Sequence, residues 1–384
     1  MNKRAGRQPC LLLVVTEDWY FMSHRLGLAR RARDAGWRVV IAARESDRAE
    51  TIRGEGLEFI ALPFERALTY PWRDLRLLWA LRGVMRALVP DLVHLVSLKP
   101  ILLGGLALRL LPTPCPALLA FTGLGYIFSS RAGLARLLKP LVVGLLALVA
   151  RDKNAWVLAQ NKDDLALLRA HGIAAATRAS IIAGAGLDLD EFPVTPLPSR
   201  QGALVILPAR LLRDKGVYEF VAAAARVRAL RPDVRFALVG AHDLANPGAV
   251  DARDLDAWLA AGEVEWWEHR RDMAAVYGQA YVVCLPSYRE GLPRALLEAA
   301  ACARPLIATD VPGCREICMD GETGLRVPAQ NVDALVEALL RMLDTPALAE
   351  TYAQGARAKV EREFTLERIA EQTLTLYRQL SASS

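Results

Sequence analysis

The chain has 384 residues, 53% of them hydrophobic, with 48 Lys and Arg against 42 Asp and Glu for a formal charge of +6. That length and apolar content suffice for large cores in two domains. Six scattered cysteines with no CxxC pair and no zinc-like histidine spacing exclude a zinc module and fit a reduced, cytoplasmic compartment.

The N-terminus, MNKRAGRQPCLLLVVTED, imitates a signal peptide, but its apolar run from Cys10 to Val15 is short and meets Glu17 and Asp18 at once. It reads instead as a first buried strand. Further strands are expected at Trp37–Ala43, Glu58–Pro63, Asp91–Val96, Pro116–Phe121, Ala155–Gln160 and Ser180–Gly184, with helical patterns between them. One such helix, His24 to Gly36, closes on its glycine. No stretch reaches the uncharged length of a membrane span; Pro140–Ala150 comes nearest and is cut off by Arg136 and Lys139.

The first 192 residues carry 26 Lys and Arg against 17 Asp and Glu, and the remainder 22 against 25. This basic half also holds the apolar stretches PWRDLRLLWALRGVMRAL, Pro71 to Leu88, and GLARLLKPLVVGLLALVA, Gly133 to Ala150. A basic amphipathic surface suits an anionic membrane leaflet or a lipid-phosphate substrate. The alternative is ordinary core-facing helices with solvated arginines. Arginine-rich arms, finger spacings and RNP-like aromatics are missing, so nucleic acid is not an expected partner.

Asp190 to Ala203, with Pro193, Pro196 and Pro198, reads as a linker. Strand–helix alternation then restarts at Leu204–Ala209, Val234–Gly240, Val264–Glu268, Tyr281–Pro286, Pro305–Asp310 and Gly324–Pro328. The expected fold is therefore α/β: two tandem, Rossmann-like, doubly wound parallel-sheet domains with a cleft between them. The domains are expected at residues 1–190 and 204–365, joined by a linker at 191–203. Residues 366–384 form a C-terminal helix free to pack back on the first domain.

Open α/β sheets bind ligands beyond the carboxyl ends of their strands. In the second half, Arg210 and Lys215 follow one strand, and Gly216 precedes a helix. A guanidinium and a compact ammonium suit a pyrophosphate. After the strand Tyr281–Leu285 come Glu290, then Gly291, Leu292 and Pro293, with Glu298 one turn into the next helix. Amides at a helix start favour anions, whereas carboxylates beside phosphates make sense as acceptors for sugar hydroxyls. A nucleotide-sugar offers both. Solvated loop charges are the alternative for each residue taken alone.

The stretches ARLLRDKG, FALVG and LPSYREGLPRALLEAAACARPLIATDVPG resemble the retaining glycosyltransferases of family 4, which have the two-domain GT-B fold. SHRLGLARRARDAGWRV, DLVHLVSLKPILLGGLALRLL, FTGLGYIF, QNKDDLALL and IIAGAGLDLDEF extend the resemblance to the branch that builds capsule, O-antigen and lipid-linked oligosaccharides. The resemblance implies that Arg210 and Lys215 grip the donor diphosphate, Glu298 holds the ribose, and Glu290 faces the transferred sugar amid Gly291, Leu292 and Pro293. It sets Gly240 beside the nucleotide, with the loop His269–Met273, including Arg271 and Met273, near the base. Loops carrying Phe21, Ser23 and His24, then Ser97 to Lys99, then Thr122 and Gly123, are implied to face the acceptor.

Many members carry a second histidine two residues after the one matched by His94, but here Leu95 and Val96 follow, so no histidine base is assigned. The resemblance implies retention by front-face attack, with the leaving phosphate taking the proton, a mechanism that needs Arg210 and Lys215 to neutralise it. The two DLD triplets, Asp188–Asp190 and Asp254–Asp256, mimic a metal-binding DxD without its placement, so neither a metal nor a cofactor is expected. His171 and His242 read as loop or cap residues, and Trp266–Trp267 as strand. The expected partners are a UDP-sugar, a polyprenyl-diphosphate-linked saccharide and the anionic inner face of the cell membrane. A UDP-sugar epimerase of the same fold and a non-catalytic scaffold in glycan assembly are the alternatives.

Overall fold

The computed structural model describes residues 7–65, 71–123, 133–244 and 246–382, without the side chains of 71 and 133–138. Residues 124–128, from the FTGLGYIF stretch, lie outside these. The chain divides into two compact units, Met1–Gly186 with Leu366–Ser384, and Leu187–Thr365.

The first unit is built on β1 (Cys10–Glu17), β2 (Arg38–Arg44), β3 (Glu58–Ala61), β4 (Leu92–Val96), β5 (Ala117–Phe121), β6 (Ala155–Ala159) and β7 (Ala179–Ile181). Among the described residues these make a parallel seven-stranded sheet of order β3-β2-β1-β4-β5-β6-β7, with Leu12 opposite Val40 on one side and Val93 on the other. Both faces are covered, so β1 and β5 read as unbroken apolar runs rather than alternating ones. Leu12, Val93 and Leu119 pack beneath the helices Pro71–Leu88, Leu98–Arg109 and Gly133–Ala150 through Leu77, Leu81, Ile101 and Leu146. On the opposite face, Leu11, Leu13 and Ile41 meet Phe21, Leu28 and Ile52.

The same opposite face is closed by the C-terminal helix Leu366–Ala382, which buries Ile369, Leu374 and Tyr377 there. The Tyr377 hydroxyl lies 2.6 Å from His94 Nδ1, and its ring meets Trp37 edge-on at 5.9 Å. The final helix thus belongs to the first unit although the second unit separates it in sequence.

The second unit holds β8 (Leu204–Pro208), β9 (Arg235–Val239), β10 (Glu265–Trp266), β11 (Val282–Leu285), β12 (Leu306–Thr309) and β13 (Gly324–Val327). Among the described residues they form a parallel sheet of order β10-β9-β8-β11-β12-β13. The strand order reverses between β8 and β11, the point where such sheets open a crevice. In the first unit the equivalent reversal lies between β1 and β4.

β10 is shorter than the expected Val264–Glu268 because Glu268 takes a φ of 52°, which turns the chain out of the sheet. Residues 191–203, read from sequence as a linker, lie inside the second unit. The buried Arg304 guanidinium donates to the carbonyls of Thr195 and Pro196, and Arg357 donates to that of Phe192. Among the described residues, no helix is long and apolar enough to cross a membrane.

Candidate active site

In the second unit, β8 runs into a buried Leu211–Leu212 pair, a single 3-10 turn at Arg213–Lys215, and then Gly216 at φ 73°. A β-carbon on Gly216 would strike the Pro286 carbonyl, so only glycine lets the loop after β8 lie against the loop after β11. The two loops are also stitched together. The Tyr288 amide donates to the Asp214 carbonyl at 2.9 Å, and the Tyr288 hydroxyl donates to Glu219 at 2.7 Å.

This contact delivers Lys215 to Glu290. The Lys215 ammonium donates to Glu290 Oε1 at 2.5 Å, and the Ser287 hydroxyl donates to the same oxygen at 2.8 Å. Ser287 is fully buried, and its carbonyl accepts from the Thr309 hydroxyl at the end of β12. Among the described residues, Glu290 Oε2 has no hydrogen-bond partner. Burial alone would push the Lys215 ammonium down, but the Glu290 carboxylate overrides it and holds the amine above its usual range.

Arg210 stands on the same loop with more than half of its side chain exposed, and its nearest acid is Asp243 at 3.5 Å. It lies five positions before Lys215 in the sequence. Glu298 is reached from two sides, by Arg294 Nε at 2.6 Å and by the Tyr277 hydroxyl at 3.0 Å. Burial raises the Glu298 carboxyl above its ordinary range despite Arg294 and Tyr277. Gly291 and Leu292 lie in the loop between these carboxylates, and Pro293 occupies the N-cap rather than the first turn, since the helix opens at Arg294.

Gly240 follows β9, and its carbonyl accepts from Trp266 Nε1 at 2.9 Å. Arg271 is exposed, and Met273 is half-buried at the start of the helix Met273–Gln279. Among the described residues no hydrogen bond ties either of them to the Lys215–Glu290 pair. Asp254 accepts from the Tyr218 hydroxyl within a helix, and Asp188 from the Asp190 amide. Among the described residues, no three His, Cys, Asp or Glu side chains gather as a metal site. Ser287, Tyr277, Tyr288 and Thr309 were not singled out from sequence; a serine three residues before Glu290 was the one available signal.

In the first unit, the segment read as a loop around Phe21, Ser23 and His24 is the helix Asp18–His24, which follows β1 directly. Phe21 is fully buried in the core and so cannot touch an acceptor. Ser23 and His24 are partnered locally: the Ser23 hydroxyl lies 2.7 Å from His24 Nδ1, and the His24 ring stacks on Tyr20 at 4.4 Å. After β4, Ser97 caps the helix Leu98–Arg109 at φ 77° and ψ 164°, a conformation other side chains rarely adopt. Its hydroxyl lies 2.8 Å from that of Thr122, which follows β5 and precedes Gly123. Lys99 sits in the first turn of that helix, not in a loop, and pairs with Asp74 at 2.7 Å. His94 is buried and held well below its usual range by burial and by Arg25.

Two family models match in tandem: Glycosyl transferase 4-like over residues 10–193 and Glycosyl transferases group 1 over residues 202–345. The chain belongs to this glycosyltransferase family. The glycosyltransferase is 25% identical over 377 residues to the N,N'-diacetylbacillosaminyl-diphospho-undecaprenol alpha-1,3-N-acetylgalactosaminyltransferase of Campylobacter jejuni, covering 93% of this chain and 97% of that protein. Its fold is similar to that of sucrose-phosphate synthase from Thermosynechococcus elongatus, with a TM-score of 0.83 at 23% identity over 98% of this chain and all of the other. It is also similar to Anabaena HepE in complex with UDP and glucose, with a TM-score of 0.75 at 16% identity over 95% of this chain and 98% of that one. The two parallel α/β units are those of the GT-B fold.

Proposed function

We propose that this glycosyltransferase moves a hexose or N-acetylhexosamine from a UDP-sugar to a polyprenyl-diphosphate-linked saccharide, with retention at the anomeric carbon and without a metal ion. The observation that carries this reading is the Lys215–Glu290 pair at the β8–β11 reversal, with one carboxylate oxygen tied down and the other open. Lys215 and Arg210 take the donor diphosphate. The open oxygen of Glu290 accepts from a hydroxyl of the transferred sugar, and Glu298 accepts from the ribose. Gly240, Arg271 and Met273 border the base, and the Gly291–Pro293 backbone lies beneath the sugar. In the first unit, Ser23, His24, Lys99, Thr122 and Gly123 face the acceptor.

An acceptor hydroxyl oxygen bonds to the anomeric carbon on the face that UDP leaves, the carbon–phosphate-oxygen bond breaks, and the departing phosphate takes the hydroxyl proton. The products are the extended saccharide and UDP. Two cations at the diphosphate supply the stabilisation of developing charge that a metal gives elsewhere. The family membership, a relative named for an undecaprenyl-diphospho acceptor and a neighbour solved with UDP support the substrate classes. The protein works as a peripheral protein on the inner face of the membrane that carries the acceptor.

Mass spectrometry of products from a panel of UDP-sugars and lipid-linked acceptors tests the reading. One added sugar mass is expected, unaffected by EDTA and lost in Lys215→Ala and Glu290→Ala. UDP-sugar turnover without acceptor would indicate an epimerase, and absence of UDP binding would indicate a scaffold.

A further inference from the structure

Both oxygens of the Glu298 carboxylate are held by protein donors, but the two donors differ in kind. Arg294 reaches Oε1 from four positions earlier on the same helix, Arg294–Ala301, and keeps 29% of its side chain exposed. Such a partner moves with its own helix and cannot by itself fix where the carboxylate stands against the rest of the unit. The Tyr277 hydroxyl, 3.0 Å from Oε2, comes from the separate helix Met273–Gln279. Among the described residues it is the one donor to this carboxylate from outside its own helix. The Tyr277 ring is fully buried and lies against the Phe192 ring at 6.5 Å, so its hydroxyl has one place to be. Burial, and then the Glu298 charge, push that hydroxyl well above its usual range, so it stays protonated and donates. A carboxylate oxygen has about two lone-pair directions. With one taken by each protein donor, each oxygen keeps a side open to a ligand hydroxyl.

We propose that Tyr277 is a positioning residue for nucleotide binding: its hydroxyl turns the Glu298 carboxylate so that the open sides of its oxygens meet the ribose hydroxyls. This rests on the assignment of Glu298 to the ribose made above and deepens it. Tyr277 itself touches no substrate; it acts through the carboxylate that it holds. The helix that carries it opens at Met273, proposed to border the base, so one short element sets both the base edge and the ribose anchor. Without the hydroxyl, Glu298 keeps its charge and its Arg294 partner but loses the direction in which it accepts.

Calorimetry on the full-length protein compares UDP with 2',3'-dideoxy-UDP, which lacks both ribose hydroxyls. Wild type should prefer UDP by about tenfold or more. Tyr277→Phe keeps the buried ring and removes the donor. It should weaken UDP by about tenfold and the dideoxy analogue hardly at all, so the preference between the two collapses. Replacing Tyr277 by 4-aminophenylalanine restores a donor at the end of the ring and should recover most of that preference. The ratio of two affinities within one variant does not depend on how much of the protein is folded, so a less stable variant still answers. Equal losses for both ligands would make Tyr277 merely structural and overturn the proposal. A Tyr277→Phe protein that keeps the wild-type preference overturns it as well. Wild type that binds the two ligands equally overturns the earlier assignment of Glu298 to the ribose, and the proposal with it, and that failure is visible before any variant is made.

Discussion

Glu290 accepts from Lys215 and Ser287 on one oxygen, and the buried hydroxyl is the more rigid of the two donors because Thr309 fixes the Ser287 backbone. Ser287→Ala leaves the charge pair in place but frees the carboxylate to turn. A hydrogen bond to a charged group contributes about 1.5–3 kcal/mol, so transfer should fall on the order of 10- to 100-fold. If Glu290 faces the transferred sugar as proposed, UDP, which lacks that sugar, should bind as before; single-turnover transfer beside UDP calorimetry reads both, and an equal loss in each would remove Ser287 from this role. Glu298 yields a second prediction. Its carboxyl is raised above the ordinary 4.5 by burial, so the folded state resists the charge it must carry at pH 7. A raised folded value means stability is fullest below the unfolded value and is lost as pH rises through the folded one. Glu298→Gln should therefore melt higher than wild type at pH 7, by about 2–4 °C for each kcal/mol gained. That advantage should shrink as pH falls toward 4.5, while donor affinity weakens. A melting gain that does not change with pH would contradict the burial account.

At the scale of elements, the C-terminal helix Leu366–Ala382 completes a core whose other members come from the first 182 residues. Its Tyr377 hydroxyl lies within hydrogen-bond distance of His94 Nδ1, and both groups are buried. Tyr377→Phe leaves the imidazole nitrogen unsatisfied and should cost about 1–3 kcal/mol. Urea unfolding followed by Trp37, which touches the Tyr377 ring, should show that loss, and an unchanged midpoint would contradict it. The alternation of apolar runs with helical periodicity made every described strand of both sheets legible in the sequence, with ends displaced by up to three residues. What periodicity could not say was which core an amphipathic last helix would join. The resemblance implies a loop around Phe21, Ser23 and His24, whereas Asp18–His24 is helical and Phe21 belongs to the core. At the site, the charged residues were legible as charges at strand ends. Their uncharged holders, Ser287, Tyr277 and Tyr288, were not, because nothing in a hydroxyl's spacing tells which carboxylate it will meet.

For the whole molecule, the proposed donor residues all belong to the second unit, and each unit has a core of its own. A ligand that binds only the folded state stabilises it by about 2.7 kcal/mol at a hundredfold excess over its Kd. UDP should therefore slow amide exchange at residues 209–216 and 286–293, leaving residues 18–24 and 97–99 unchanged. Exchange slowed first at 18–24 would assign the nucleotide to the wrong unit. The close approach of main chain to main chain also limits what this site tolerates. A β-carbon at Gly216, Gly240 or Gly313 would collide with the carbonyl of Pro286, Ala209 or Gly291 respectively. The mouth of the second sheet is thus cast in backbone, with three letters as its mould marks. A side chain at any of the three would push on a loop that carries Lys215 or Glu290 rather than fill open space.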